Sequence, residues 1–163
     1  MPIVLVRVDD RLVHGQILEG WLPSTRAQEL LIANDSLAND FLQKMIMQSA
    51  IPYSVNIVID TVQGVATLLR DTAANEVKRI VLVDSPRDAL RLKRAGVGFN
   101  NLNLGNLRTN NMTICLSRSV MVGEDGLRDL RTILAEGVKV VIQSVPFEKP
   151  LDLSEVLRCF PET

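Results

Sequence analysis

Histidine and aromatic side chains are scarce in this chain. Its 163 residues include one histidine, one tryptophan and one tyrosine, and aromatic residues make up 4% of the total. Imidazole is the side-chain group best suited to proton or group transfer near neutral pH. Any chemistry that requires an imidazole therefore has a single candidate, His14.

Cysteine is also rare. Cys115 and Cys159 are the only two, and together with one histidine they cannot supply the ligand spacing of a zinc site. We expect Cys115, which lies in an apolar stretch, to be a buried free thiol and Cys159 to be a peripheral one. No metal is implied.

The chain has neither an excess of one charge nor a long apolar run. It has 18 Lys and Arg against 19 Asp and Glu, so its net charge of -1 gives no basis for binding nucleic acid or an anionic membrane. No stretch approaches the roughly 18 consecutive apolar residues of a membrane span. The start of the chain also lacks the pattern of a secretory signal, so we expect a cytoplasmic protein.

What the sequence does contain is an alternation of short apolar runs with amphipathic segments. The runs cover residues 4–6, 29–33, 54–59, 79–83 and 138–142. Strands made of consecutive Val, Ile and Leu are typical of sheets covered on both faces. With no linker or repeat, residues 1–163 are predicted to form one α/β domain with a doubly wound, mostly parallel sheet and helices on both faces.

Three details of this prediction concern individual segments. Residues 16–22 predict a helix that stops before Pro23. Residues 102–106 and 112–116 predict two short strands whose connection is too short for a parallel crossover, so we expect an antiparallel or irregular pairing. Residues 138–142 are predicted to form the last strand.

A further helix is predicted after the strand at residues 29–33, capped by Asn34 or Asp35. Its apolar residues recur at helical spacing, which predicts a face packed in the core and methionine as core filler. The residues on this face are Leu37, Phe41, Leu42, Met45 and Ile46.

The loops after parallel strands share one edge of the sheet, where ligands bind in open α/β folds. This places Asp35, Asp60, Asp84 and the turn Gly105-Asn106-Leu107 on the same side as His14. The simplest interpretation of each aspartate is a helix cap. The further candidates for lining a cleft near His14 are Asp84, Ser85, Gly105 and Asn106.

His14 lies where the first strand gives way to the first helix. A helix N-terminus offers free N–H groups to an anion, and Gly15 leaves the approach open. Arg11 can neutralise a phosphoryl group through bidentate contacts, and Asp9 or Asp10 can accept from one ring nitrogen while the other attacks phosphorus. The alternative is purely structural: Asp10 caps the helix, Arg11 is solvated and His14 is an ordinary helix-start residue.

The loop lies within the stretch Arg7-Val8-Asp9-Asp10-Arg11-Leu12-Val13-His14-Gly15-Gln16. Nearly continuously over these ten residues, the chain resembles the active-site signature of the IIB subunits of the mannose/fructose/sorbose family of the bacterial sugar phosphotransferase system. The resemblance implies that His14 carries the phosphoryl group. The residues expected to bind or orient that group are Asp9, Asp10, Arg11, Gly15 and Gln16.

The resemblance also implies partners. A phosphorylated IIA protein would donate the phosphoryl group, and the membrane IIC and IID subunits would hold the sugar, of the mannose/fructose/sorbose class, that finally receives it. Membrane association would occur only through those subunits, and no soluble cofactor is implied. We expect these partners to dock on Leu12, Arg11 and Trp21.

Two segments depart from the family pattern. Members commonly carry Asn-Val-Gly-Gly-Met where this chain has residues 103–107, Asn-Leu-Gly-Asn-Leu, and a Thr-Lys pair where it has Ser117-Arg118. Asn106 therefore replaces a glycine, which leaves open a degenerate IIB-like regulatory module that signals by its phosphorylation state. A flavodoxin-like nucleotide or phosphometabolite-binding domain is a weaker alternative, because no Gly-rich phosphate fingerprint follows any strand.

Overall fold

A computed structural model describes residues 3–108 and 113–160. The first helical segment, α1, combines π-helical residues Gln16–Trp21 with α-helical residues Leu22–Thr25. The other helices are α2 (Asp35–Ala38), α3 (Phe41–Ala50), α4 (Val62–Asp71), α5 (Pro86–Arg94), α6 (Glu124–Ala135) and α7 (Leu153–Leu157). The strands are β1 (Ile3–Asp9), β2 (Glu29–Ala33), β3 (Asn56–Asp60), β4 (Arg79–Val83), β5 (Asn101–Asn106), β6 (Ile114–Cys115), β7 (Met121–Val122), β8 (Lys139–Ile142) and β9 (Leu151–Asp152).

In the described part of the chain, seven strands form one sheet in the order β3-β2-β4-β1-β5-β8-β9. All neighbours pair in parallel except β8 and β9, which are antiparallel. The strand β1 lies centrally between β4 and β5, with Val8 opposite both Val83 and Leu104. The loop that follows β1 is therefore flanked by the ends of two parallel neighbours.

Alternate residues of the strands pack on opposite faces of the sheet. Val6, Val8 and Leu31 belong to a larger apolar core with residues of α4, α5, α6 and α7. Leu30 and Ile32 belong to a second core with residues of α1 and α2. The prediction of a doubly wound, mostly parallel sheet is thus confirmed, because consecutive apolar residues supply both cores.

The predicted antiparallel pairing exists, but its partner differs from the expected one. β5 is a parallel strand of the main sheet between β1 and β8, whereas β6 pairs antiparallel with β7. The chain after β5 leaves the sheet, so the short connection does not return a strand to β5. Part of the predicted strand 112–116 lies outside the described residues. The prediction that residues 138–142 form the last strand was wrong, since β9 pairs with β8.

The helix after His14 does not stop before Pro23 as predicted. It continues to Thr25 and ends at Arg26, whose φ is 54°. Pro23 lies where the π-helical residues Gln16–Trp21 pass into the α-helical residues Leu22–Thr25, as the second residue of the α-helical part. Ile17, Trp21 and Leu22 are all buried, and this packing holds α1 against the sheet.

The helix predicted after β2 is in fact two helices. Asn34 caps α2 by accepting from Leu37 N, and Asp40 caps α3 by accepting from Gln43 N. Only Leu37 of the predicted apolar face is buried. The residues of α3 on that face are exposed by 78% (Phe41), 67% (Leu42), 52% (Met45) and 60% (Ile46). The helix is interrupted at Asn39 and begins again after the cap at Asp40, and the expected core face was wrong for α3 because these side chains are exposed.

Two further features bear on the expectations. Cys115 and Cys159 are free thiols, but both are exposed, so the burial predicted for Cys115 was wrong. Cys115 lies in the short strand β6 at the surface instead of in the main sheet.

Within residues 3–108 and 113–160, no helix is long and apolar enough to span a bilayer.

Leucine truncation tests which helix faces belong to the core. Leu42 of α3 is 67% exposed and Leu69 of α4 is 1% exposed, and both helices have ten residues. We expect Leu42→Ala to change the free energy of unfolding by less than about 0.5 kcal/mol and Leu69→Ala to lower it by about 2–5 kcal/mol. Urea denaturation measures both, and similar losses in the two variants would contradict the exposed position of Leu42.

Candidate functional site

The end of β1 carries two buried charged residues. Arg7 and Asp9 are two positions apart in a strand, so their side chains lie on the same face of the sheet. Both side chains are 0% exposed, and Arg7 Nη2 lies 3.0 Å from Asp9 Oδ2. β1 therefore ends in a completely buried ion pair, directly before the loop that carries His14.

The backbone turns sharply after Asp9. Leu12 N donates to Asp9 O at 3.0 Å, and Arg11 N donates to Asp9 Oδ1 at 3.1 Å. Leu12 has a φ of 56°, in the left-handed region that L residues rarely adopt, and its side chain is buried. The turn is thus held by hydrogen bonds to Asp9 and by burial of the Leu12 side chain.

His14 is fixed through both ring nitrogens. Its Nε2 lies 2.9 Å from Asp9 Oδ2, and its Nδ1 accepts from Gln16 N at a longer 3.3 Å. Because an ionised carboxylate only accepts, this arrangement places a proton on Nε2 and the free electron pair on Nδ1. The side chain is 14% exposed.

The helix start beside His14 is open. The His14 carbonyl accepts from Ile17 N and Leu18 N, so Gly15 and Gln16 precede the first intrahelical hydrogen bonds. A side chain added at Gly15 would meet nothing within 4 Å. Backbone N–H groups at a helix start are suited to an anion, and the binding of an anion at this turn stays a prediction.

Arg11 bridges the buried and exposed parts of the site. Its Nε donates to Asp9 Oδ1 and its Nη2 to Asp9 Oδ2, each at 3.1 Å, and Nη2 also donates to Gln16 Oε1 at 2.9 Å. The side chain remains 40% exposed. Arg11 is therefore held in one orientation while part of its guanidinium faces solvent.

Asp9 remains ionised in spite of its burial. Burial alone would raise the pKa of its carboxyl group, but hydrogen bonds from His14 and Arg11, together with the charges of His14 and Arg7, lower that pKa to about 2. Asp9 is therefore a carboxylate at neutral pH and accepts the Nε2 proton of His14.

Asp10 belongs to a different set of contacts. Its carboxylate accepts from Asn106 Nδ2 at 2.8 Å and from Arg108 N at 2.7 Å, and its backbone N donates to Asn106 O at 2.9 Å. Of the two aspartates that the sequence left open, Asp9 is the one that contacts His14. Asp10 and Asn106 instead tie the loop after β1 to the end of β5.

A cleft of about 370 Å³ opens beside Arg11. Asp84 lines it and accepts from Asn34 Nδ2 at 2.6 Å. Its lining residues are Asp10, Arg11, Leu12, Asn34, Ser36, Leu37, Asp40, Gln43, Met47 and Asp84.

The remaining edge residues lie elsewhere. Ser85 caps α5 by accepting from Asp88 N at 3.3 Å, and Gly105 packs against Arg7. Asp35 pairs with Arg91 and does not cap α2, because Asn34 is the cap of that helix. Asp60 accepts from Thr61 N at 2.7 Å. These two aspartates share the sheet edge with His14 but make their contacts away from it.

Arg7 belongs to the site, although the sequence did not single it out. The predicted strand covers residues 4–6, which places Arg7 at its exit and Asp9 in the loop, whereas β1 continues to Asp9. An arginine two positions before an aspartate in an otherwise apolar strand is the signal that points to a buried pair on one face. The docking role expected for Leu12 and Trp21 was wrong, because they are only 6% and 7% exposed and anchor the loop and α1 from inside.

No arrangement suited to a metal ion accompanies these residues. In the part of the chain that the structure describes, no three His, Cys, Asp or Glu side chains come together in such a group.

Comparisons with known proteins show the family to which this chain belongs. The family model described as the PTS system sorbose subfamily IIB component matches residues 3–160. A fructose-specific EIIB component of Bacillus subtilis is 30% identical over 158 residues, which cover 97% of each chain. An N-acetylgalactosamine-specific enzyme IIB component of Escherichia coli is 32% identical over 158 residues, covering 96% of this chain and 100% of the other.

Solved structures share the whole fold. A protein of the phosphoenolpyruvate-dependent phosphotransferase system superposes with a TM-score of 0.90 at 30% identity, covering 99% of this chain and 100% of the other. The IIB domain of the sorbose permease from Klebsiella pneumoniae has a TM-score of 0.91 at 24% identity, covering 99% of each chain. The chain belongs to the sorbose subfamily of IIB components of the sugar phosphotransferase system, also called the mannose class.

The pH dependence of stability tests the Asp9 interactions. A pKa lowered from 3.8 to about 2 on folding contributes stability that is present above pH 4 and lost as the pH falls through 2. We expect the stability difference between wild type and Asp9→Asn to shrink by about 2 kcal/mol between pH 5 and pH 2. Denaturant titrations across this range measure it, and a constant difference would contradict the lowered pKa.

Proposed function

We propose that this IIB component carries a phosphoryl group on Nδ1 of His14. The proposal is supported chiefly by one observation: Asp9 Oδ2 engages Nε2, which leaves Nδ1 as the unprotonated nitrogen, with a single long hydrogen bond from Gln16 N at 3.3 Å, at an open helix start. A phosphorylated IIA component donates the phosphoryl group. His14 then passes it to a sugar held by the membrane IIC and IID subunits.

The chemistry of the first step follows from the two ring nitrogens. The Nδ1 electron pair attacks phosphorus, an N–P bond forms on His14, and the N–P bond to the donor histidine breaks as its electron pair returns to that ring. Positive charge develops on the His14 ring and is stabilised by the Asp9 carboxylate on Nε2. No proton has to leave His14 during the transfer.

The phosphoryl oxygens are received by groups already in place. The backbone N–H groups at Gly15 and Gln16 lie at the positive end of α1, and Gln16 N is 3.3 Å from Nδ1. Arg11 lies beside Gln16 with its guanidinium fixed by Asp9. Phosphoryl transfer depends mainly on such positioning and charge neutralisation.

The second step transfers the group to a sugar hydroxyl. The O–P bond forms, the N–P bond to His14 breaks with its electron pair returning to Nδ1, and the hydroxyl proton passes to solvent water. The names of the relatives support a sugar of the fructose, sorbose or N-acetylgalactosamine type. A mannose-specific EIIAB component of Escherichia coli, of which this chain matches 49%, supports a IIA protein as the donor. The protein would act in the cytoplasm and meet the membrane through the sugar-transporting subunits.

A regulatory role without sugar transfer is the second candidate, and it depends on Asn106. The side-chain amide of Asn106 donates to Asp10 Oδ1 at 2.8 Å. Asn106, which stands where the family commonly has glycine, therefore fixes the loop between β1 and α1. A fixed loop would suit a module that holds its phosphoryl group. Sugar phosphorylation by membranes that contain the IIC and IID subunits distinguishes the candidates.

His14 is expected to be the only phosphorylation site. Incubation with a phosphorylated IIA component should add one phosphoryl group that is labile in acid and stable in base, and His14→Ala should abolish it. Cys115→Ser, which removes an exposed alternative nucleophile, should react as wild type does. Intact-mass spectrometry checks this, and NMR of the phosphorylated ring identifies the nitrogen. A label that persists in His14→Ala would refute the proposal.

Arg11 is expected to stabilise the transferred group. Arg11→Lys keeps the charge but loses the planar fork, so transfer should slow, and Arg11→Ala should slow it by roughly 5- to 150-fold. Arg91 is a matched control, because it is 44% exposed and also pairs with carboxylates. Rapid-quench kinetics should show a wild-type rate for Arg91→Ala. An unchanged rate in Arg11→Ala would mean that the guanidinium has no part in transfer.

A further inference from the structure

Arg7 lies below the His14 site and has no contact with solvent. Its Nη2 donates to Asp9 Oδ2 at 3.0 Å and to Ser144 O at 3.1 Å. Its Nη1 donates to Asn103 Oδ1 and, at 2.8 Å, to Gln143 O. One guanidinium thus connects the end of β1 with β5 and with the segment that follows β8.

Gly105 and Trp21 both lie against this guanidinium. A methyl group added at Gly105 would overlap Arg7 Nη2. Arg7 Cζ lies over the indole of Trp21, 5.3 Å from its centroid, and Trp21 Nε1 donates to Ser144 O at 3.1 Å. Gly105 and Trp21 therefore restrict the guanidinium to one orientation.

Removing the charged guanidinium of Arg7 from water costs free energy, so a contribution to stability does not by itself explain why an arginine is buried here. Desolvation lowers the pKa of Arg7 and outweighs the opposing effect of Asp9. Apolar residues of similar volume often replace a buried ion pair without loss of stability. A fully buried arginine directed at the carboxylate that holds His14 is instead suited to a role in the site.

We propose that Arg7 is a positioning residue for phosphoryl transfer at His14. It holds Asp9 Oδ2 at the place where the carboxylate accepts from His14 Nε2, and so keeps Nδ1 as the free nitrogen. The role rests on the proposed function of His14. Arg7 acts through Asp9, because none of its described contacts is with His14 itself.

Arg79 provides a matched control for a merely structural role. It is also buried, 3% exposed, and its Nε pairs with the carboxylate of Glu29. It lies at the start of β4, at the opposite edge of the sheet from His14. Loss of Arg79 removes a buried ion pair without touching Asp9.

The test combines NMR of the His14 ring with transfer kinetics. In ¹⁵N spectra of the neutral ring, wild type and Arg79→Met should show the tautomer with the proton on Nε2. Arg7→Met should show a mixture of tautomers, and its rate of phosphorylation should fall roughly 10- to 100-fold. Gly105→Ala keeps every charge but displaces the guanidinium, so it should change the ring spectrum in the same direction.

The outcomes separate the two levels of the proposal. Arg7→Met with a wild-type ring spectrum and a rate within twofold of wild type overturns the role of Arg7, as does an Arg79→Met variant with the same ring change. If Arg7→Met does not fold, Arg7→Lys and Gly105→Ala are judged by the same criteria. The ring spectra need no phosphoryl donor. Failure of wild type to accept a phosphoryl group would therefore contradict the function of His14 separately.

Discussion

The carboxylate of Asp9 is the acceptor around which the site is arranged. Within the described part of the chain it receives hydrogen bonds from Arg7, from His14, and from the backbone and side chain of Arg11. A buried carboxylate without such partners would take up a proton or disrupt the fold. The interactions that keep Asp9 charged are therefore the same ones that orient the imidazole and shape the turn.

The position of this carboxylate depends on the order of the strands. β1 lies between β4 and β5 because the chain returns from β3 to place β4 on one side of β1 and then crosses to place β5 on the other side. Asp9 is consequently buried, and the loop after it is supported on one side by Asn106. If the same loop followed an outermost strand of the sheet, Asp9 and Asp10 would be exposed. Their hydrogen bonds would then lose the low-dielectric environment that strengthens them.

The sequence predicted the features that depend on local pattern. Consecutive apolar residues in β2 and β4 indicated burial on both faces, and the order of strands and helices then placed His14 at a strand-to-helix turn. The pattern of α3 indicated an apolar face, but periodicity alone does not say whether another element covers that face. Arg7 was missed because its partners lie at residues 103, 143 and 144, and only the folded sheet brings these together.

The contact between Arg7 and Trp21 gives the protein an intrinsic optical probe. Trp21 is the only tryptophan, so all indole fluorescence originates beside the Arg7 guanidinium and the Ser144 carbonyl. Indole emission responds to nearby charge and to the hydrogen bond at Nε1. Trp21 is linked to His14 through Arg7 and Asp9. The phosphoryl group proposed for His14 would change the electric field at the indole, so the emission of unlabelled protein would report the charge state of the site.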